Sequence, residues 1–505
     1  MSTPDFFRSR LDEMIDMTHP LAVLAQRLPW DRIEQALAVH FERQARPDRQ
    51  VQTDDLLGCE VLTANGVASN AGRPRLSIRL LVSLQYLKNA YNLSDEQLME
   101  RWSENVVWQY FGGLQYYEPR LPCDATQLGR FRRDVGEAGL EQLFKATIET
   151  AVDIRAIKPA ELERVIVDTT VQEKAIAHPV DSRLLEIARH KVVSAAKRVG
   201  IQFKQTYAAE GKALRRRAGG YAHAKQFKRL KNMVSRQRTL LGIVMREVHR
   251  KLATHPRPGQ VIPTSLSSLY TWLERAERVR TQQRGDKNKL YALHAPEVEC
   301  IGKGKARKPY EFGVKTSITV THKQGLMIGA RSFPGNPYDG HILSAQLEQS
   351  TNLLQDLGVA PKQVIVDLGF RGDVVEASCP GIEIIHRGKY KTLTKEQKRW
   401  LKRRQAVEPS IGHLKSDHGM DRNWLAGELG DALHAISCAV GYNIRWLLRA
   451  IARLGLKVIF LRLKLLMQWV RIELGRLWIR RLRGLVGSVD RAVRGDTPKF
   501  VAAFA

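Results

Sequence analysis

The chain has 505 residues, 43% of them hydrophobic, more than one ordinary core holds, so two or three domains are expected. Its 81 Lys and Arg against 52 Asp and Glu give a net charge of +29, which attracts nucleic acid or an anionic membrane. Five scattered cysteines, with no C-x-x-C pair, exclude a disulfide framework and a zinc ribbon and fit a reducing cytosol. No signal peptide is read in the first ten residues, and the apolar stretch 451–478 is broken by Arg453, Lys457, Arg462, Lys464 and Arg471. That stretch makes a poor membrane span, so the polyanion is read as DNA or RNA in the cytoplasm.

In chain order, residues 20–44 read as helical, followed by a loose stretch at 64–75 rich in Gly, Asn and Pro. Apolar residues at helical spacing predict a helix over 76–88. Ser94 with Gln97 forms a capping-box pattern for a second helix to about Trp102, and Asp124 opens a third. This all-helical region serves either DNA binding, through a helix-turn-helix, or packing and dimerisation. Trp102, Trp108, Tyr110 and Phe111 within it are read as core rather than as base-stacking residues.

At Arg164 the pattern changes to a strand, Arg164-Val-Ile-Val-Asp168. A long helical insertion follows, roughly 183–277. Between Arg189 and Lys251 it holds only two acids, Glu210 and Glu247, against a run of bases that includes Arg215, Arg216 and Arg217. A one-signed run of this length reads as a nucleic-acid arm rather than a merely solvated face. A hairpin is expected over 310–332, then a helix over 341–357 capped by Asp339 and ended by Gly358. Gln363-Val-Ile-Val-Asp367 nearly copies the first strand, and a further strand is expected at 382–385. A helix from about Thr394 carries on to Glu408, kinked at Pro409. The order predicts a mixed α/β sheet.

Three acids stand out: Asp168, Asp367 and Glu408. The first two end short buried strands, where a carboxylate is fixed by the sheet yet open to solvent. Two Mg²⁺ ions roughly 3.5–4 Å apart neutralise the attacking and leaving oxygens in phosphodiester transfer, and carboxylates are the ligands they prefer. Asp181, Asp339 and Asp373 are rivals by position. Arg404 and Lys415 fall on the face of Glu408 if the helix passes Pro409; the bland reading is an Arg404–Glu408 ion pair. His413 is read as a surface residue, because Mg²⁺ prefers oxygen.

The arrangement resembles a DDE transposase of a bacterial insertion sequence, most similar to the insertion-sequence-five family. Val167-Asp168-Thr169-Thr170 is similar to that family's first-Asp strand and Val366-Asp367-Leu-Gly-Phe-Arg-Gly372 to its second. Arg404-x-x-x-Glu408-x-x-x-x-x-x-Lys415 is similar to its C-terminal signature, with Leu401, next to Trp400, where the signature has tyrosine. The stretch from Arg73 to Gly113 and the stretch Phe333–Asp339 carry the resemblance further.

The resemblance implies an α/β, RNase H-like mixed-sheet catalytic domain with a helical N-terminal domain and a long helical insertion after the first catalytic strand. The expected layout is an N-terminal helical segment and linker (1–72), a helical DNA-binding or dimerisation domain (73–160), the catalytic domain (161–450, with the basic insertion at 183–290) and a basic C-terminal extension (451–505). It further implies cleavage and strand transfer at terminal inverted repeats, with Asp168, Asp367 and Glu408 holding two Mg²⁺ ions or Mn²⁺ in their place. Arg404 and Lys415 would contact DNA, and the one-signed charge of the insertion adds Arg215, Arg216 and Arg217 as expected DNA contacts. The expected partner is double-stranded DNA, at transposon ends and target, bound by a homo-oligomer in the bacterial nucleoid with no membrane involved. The competing readings are a non-catalytic DNA-binding descendant and an RNase H-like nuclease that does not join strands.

Overall fold

A computed structural model of the chain describes residues 9–41, 53–54, 60–61, 75–253, 263–302 and 308–455. The expected loose stretch at 64–75 lies outside the described residues except for Arg75, and the C-terminal extension does so from residue 456 on. The chain forms one compact unit over Met1–Leu447 and a second from Leu448. Of the second, residues 448–455 are described and helical. No helix among the described residues is long and apolar enough to cross a membrane.

The N-terminal part of the first unit is helical: α1 (Pro20–Arg27), α2 (Trp30–Ala38), α3 (Ile78–Ala90), α4 (Asp95–Glu104), α5 (Val106–Phe111) and α6 (Thr126–Asp153). The capping box at α4 is formed: the Ser94 side chain accepts from the Gln97 amide, and the Gln97 side chain accepts from the Ser94 amide. Two of the four orphan amides of that helix start are thus satisfied. Trp102, Trp108 and Phe111 are buried core, as their clustering suggests, and the Tyr110 hydroxyl takes Gln26. α6 bends at Gly136, whose φ of 61° suits glycine. These helices pack on the rest of the unit through buried amides: Asn443 donates to the Thr147 hydroxyl at 3.0 Å, and Gln85 to the Ser437 hydroxyl at 3.0 Å.

The sheet is built on β1 (Arg164–Glu173), a β-branched run whose Val165, Ile166, Val167 and Val171 are buried. The remaining strands are β2 (Glu299–Gly302), β3 (Tyr310–Thr321), β4 (Met327–Phe333), β5 (Gln363–Ile365) and β6 (Glu383–Ile385). β1 lies at the centre. On one side β3 pairs with it antiparallel, and both β2 and β4 pair along the far edge of β3. On the other side β5 and then β6 run parallel to it. The expected hairpin is β3–β4.

Between β1 and β2 stand α7 (Asp181–Arg198), α8 (Ala208–His223), α9 (Phe227–Ala253) and α10 (Pro263–Thr281). They have their own apolar core, including Leu185, Val192, Leu241, Val244, Leu269 and Leu273. This is the expected basic insertion, folded as a helical bundle.

Two local expectations are corrected. Asp339 is the first residue of α11 (Asp339–Leu354) and not its cap: Tyr338 holds the cap position, with no side-chain hydrogen bond, and the Asp339 Oδ1 accepts from Lys315 at 2.9 Å. The helix after Thr394 is not continuous. α12 (Lys395–Arg403) gives way to a 3₁₀ turn, Arg404–Ala406, and α13 (Val407–Ser416) starts afresh. Pro409 falls in the first turn of α13, where it removes no helical hydrogen bond, so the break precedes the proline.

Candidate active site

β1 and β5 pair in parallel only from Arg164↔Gln363 to Ile166↔Ile365. Asp168 stands two residues past Ile166 and Asp367 two past Ile365. The two acids therefore occupy equivalent positions, just beyond the point where parallel pairing ends. β5 stops at Ile365, but β1 runs on to Glu173, so Asp168 lies within its strand and not at its end as the sequence suggests. It borders the crevice left where β5 ends, the kind of place where open α/β sheets bind ligands. Around them Val167, Val364 and Val366 are fully buried, so the strands are anchored while both carboxylates stay partly open.

Each carboxylate is oriented by a nearby amide. The Asp168 Oδ1 accepts from the Thr169 amide at 2.8 Å, and the Asp367 Oδ1 accepts from the Gly369 amide at 2.8 Å, capping the turn Leu368–Phe370. The Asp168 Oδ2 accepts from the Arg404 guanidinium at 3.2 Å, with both side chains under one-fifth exposed. Arg404 thus pairs with Asp168 rather than with Glu408, because the 3₁₀ turn separates it from α13.

α12 sets that contact. The Arg164 guanidinium lies 3.4 Å from the centre of the Trp400 ring and donates to Gln363 at 2.7 Å. Arg403 donates to the backbone oxygens of His322 and Lys323, at 2.9 and 2.6 Å. The end of α12 is thereby tied to β1 and to the hairpin turn, and the next residue, Arg404, reaches Asp168. Leu401, at the tyrosine position of the signature, is buried. Trp400 is engaged by Arg164 and His322, a cation–π contact that spacing alone does not reveal. Burial lowers the pKa of His322 below the ordinary histidine value.

Glu408 is exposed on the first turn of α13 and makes no hydrogen bond or ion pair among the described residues. Its neighbours Val407, Ser410 and Leu414 are buried, which fixes the helix beneath it. Lys415, at the other end of α13, lies 3.4 Å from the buried Glu311 carboxylate. His413 is exposed and pairs with Asp417 at 2.8 Å. No group of three metal-ligating side chains is gathered among the described residues; Asp168 and Asp367 lie on neighbouring strands at equivalent positions, and Glu408 comes from α13, which packs against β1.

Arg215, Arg216 and Arg217 are exposed on α8. The two acids within the basic run are used locally, Glu210 by Arg236 at 2.7 Å and Glu247 by Lys251 at 2.5 Å. Neither of those pairs offsets the charge of the three arginines.

A central strand flanked by an antiparallel hairpin on one side and two parallel strands on the other, with acids at the parallel ends, defines an RNase H-like fold. Residues 277–444 match the family described as the transposase DDE domain, and residues 60–134 the transposase domain DUF772. A Rhizobium meliloti protein described as uncharacterized protein ORF8 in the nfe locus is 40% identical over 223 residues, 44% of this chain and 95% of that protein. No solved structure matches the chain. The chain belongs to the DDE transposases of insertion sequences.

Proposed function

We propose that the protein binds the terminal inverted repeats of its own element, cuts the DNA there and joins the ends to target DNA, and that it falls within the insertion-sequence-five family. The equivalent placement of Asp168 and Asp367 past the parallel pair carries this reading. Asp168, Asp367 and Glu408 are the proposed ligands of Mg²⁺. The donors are all hard carboxylate oxygens, the chemistry Mg²⁺ and Mn²⁺ prefer, and Gly369 leaves open a space beside Asp367 that a Cβ would fill. Bound there, the metal would neutralise the phosphate and lower the pKa of water.

The protein's own groups do the positioning. Arg404, which neutralises Asp168 in this structure, would take a phosphate oxygen of the bound end. Lys415 would add a second cation beside it. The helical insertion would hold the flanking duplex, and a homo-oligomer would bring two ends together.

The test incubates the purified full-length protein with Mg²⁺ and DNA carrying the element's terminal repeats. Cuts confined to the repeat ends, with joined products, are expected, and Asp367→Ala should abolish both. Equal activity in the variant would overturn the metal assignment, and cuts without joined products would make the protein a nuclease.

Replacing Arg215, Arg216 and Arg217 together by alanine should weaken end binding and flatten its dependence on salt. Each phosphate that the variant no longer neutralises takes about 0.9 off the slope of log K against log salt. Fluorescence anisotropy across a salt series checks this, and an unchanged slope would remove the insertion from the DNA interface.

A further inference from the structure

We propose that Asp339 is a fourth carboxylate of this site, facing Asp367 and held there by Lys315, and that it is a ligand of the divalent cation. The inference rests on the reading of Asp367 as a metal ligand.

Asp339 arrives from a different part of the sheet. It is the first residue of α11, directly after the loop that leaves β4. Tyr338 holds the cap position before it, and an acid in the first turn of a helix ordinarily favours the dipole, but this carboxylate is drawn to a lysine. Its Oδ1 accepts from the Lys315 ammonium at 2.9 Å, and the same ammonium donates to the Pro337 oxygen at 2.7 Å. Lys315 belongs to β3 and lies opposite Val171 of β1, three residues along from Asp168. The Tyr338 hydroxyl donates to the Arg371 oxygen at 3.0 Å, tying the start of α11 to the loop that follows Asp367. The Tyr338 contact sets the start of α11 beside the loop after Asp367, and Lys315 holds the Asp339 carboxylate from β3.

Gly369 locates the gap between the two acids. A Cβ at this position would lie 2.9 Å from the Asp339 Oδ2 and 3.0 Å from the Asp367 Oδ1. One oxygen of each carboxylate thus faces the same small space, and the two lie within about 6 Å of one another. Only a glycine leaves that space open. The Lys315 ammonium pairs with Asp339, and like charges at this range disfavour each other's ionised form unless a cation lies between them. A hard divalent ion is the cation whose ligand chemistry matches two carboxylate oxygens. Lys315 is the positioning residue: it holds Oδ1 and leaves Oδ2 turned to the gap.

The experiment titrates Mn²⁺ into the full-length protein without DNA and follows free Mn²⁺ by electron paramagnetic resonance, so the readout does not depend on activity. Asp339→Asn, Gly369→Ala and Asp367→Asn are compared with the unmodified protein, with circular dichroism confirming that each is folded. Each variant should weaken Mn²⁺ binding by at least about tenfold. Gly369→Ala changes no charge and fills only the gap, so its loss of binding would report the gap itself. Weakened binding in Asp367→Asn, with Asp339→Asn and Gly369→Ala both unchanged, would overturn the fourth ligand and leave the rest of the site standing. Unchanged binding in all three would overturn both.

Discussion

Glu408→Gln should reduce cleavage at the element's ends by about a thousandfold or more while leaving the unfolding temperature where it was. The reason is the separation between what holds α13 in place and what Glu408 does there. Val407, Ser410 and Leu414 are buried, and they anchor the helix. Glu408 itself is exposed, with no hydrogen bond or ion pair among the described residues. Its loss therefore costs no packing and breaks no pair, and exposed sites of this kind change stability by about 0.5 kcal/mol at most. Asp168→Asn should behave differently. It loses the charge that Arg404 pairs with, so activity and stability should fall together. Strand-cleavage assays beside calorimetry separate the two patterns. Cleavage by Glu408→Gln within about tenfold of the unmodified protein would remove Glu408 from the ligand set.

Much of this was legible in the sequence where a residue's role follows from its neighbours in the chain. Arg164–Asp168 and Gln363–Asp367 read as strands because β-branched runs bury well, and their parallel pairing put both acids at equivalent positions. The Ser94–Gln97 box and the hairpin of β3 and β4 are likewise local. The helical insertion follows from periodicity, and its exposed arginines from the scarcity of acids.

What escaped depends on contacts between distant residues. Asp339 looks like a helix cap until Lys315, twenty-four positions earlier, is seen to hold it. Arg404 looks like the partner of Glu408 until the 3₁₀ turn redirects it to Asp168, 236 residues away in sequence. Pro409 suggested a kink, but a proline in a first turn marks a beginning. Leu401 stands at the signature's tyrosine position and is simply core, while Trp400 beside it stacks under Arg164.

The same kind of distant contact produces the largest expected effect on stability. Lys174→Met should destabilise the protein by about 3–5 kcal/mol, the cost of leaving buried charges without their partner. Lys174 follows the last residue of β1 and is buried, with its ammonium 2.9 Å from Glu297 and in contact with Asp431 as well. Glu297 lies in the stretch returning from the insertion, and Asp431 in the helix that begins at residue 427. One ammonium therefore joins three segments. Asn423 donates to the Asp431 Oδ1 at 2.6 Å and the Gly427 amide to the Glu297 Oε1 at 3.0 Å, so the acids are held even where one cation serves two charges.

Burial raises the Asp431 pKa to about 6, with Glu297 adding to it and Lys174 opposing it. A raised carboxyl means that the folded state binds the proton more tightly. Its stabilising contribution is complete below the unfolded value near 3.8 and is lost as pH rises through about 6. His434 acts in the opposite sense. Desolvation lowers its pKa to about 4, so its contribution is complete above about 6.5 and is lost as pH falls toward 4. The two offset each other in the intact protein, and only a difference between variants isolates Asp431. Removing Lys174 takes away the cation that opposes protonation, so the loss in Lys174→Met should be larger at pH 8 than at pH 5. Adding Asp431→Asn should restore part of the stability at pH 8, because the amide oxygen still accepts from Asn423 while the unpaired charge is gone. Urea unfolding at the two pH values measures both effects. A loss equal at pH 5 and pH 8, unrelieved by Asp431→Asn, would mean that Lys174 acts through packing of its methylenes and not through the charges it joins.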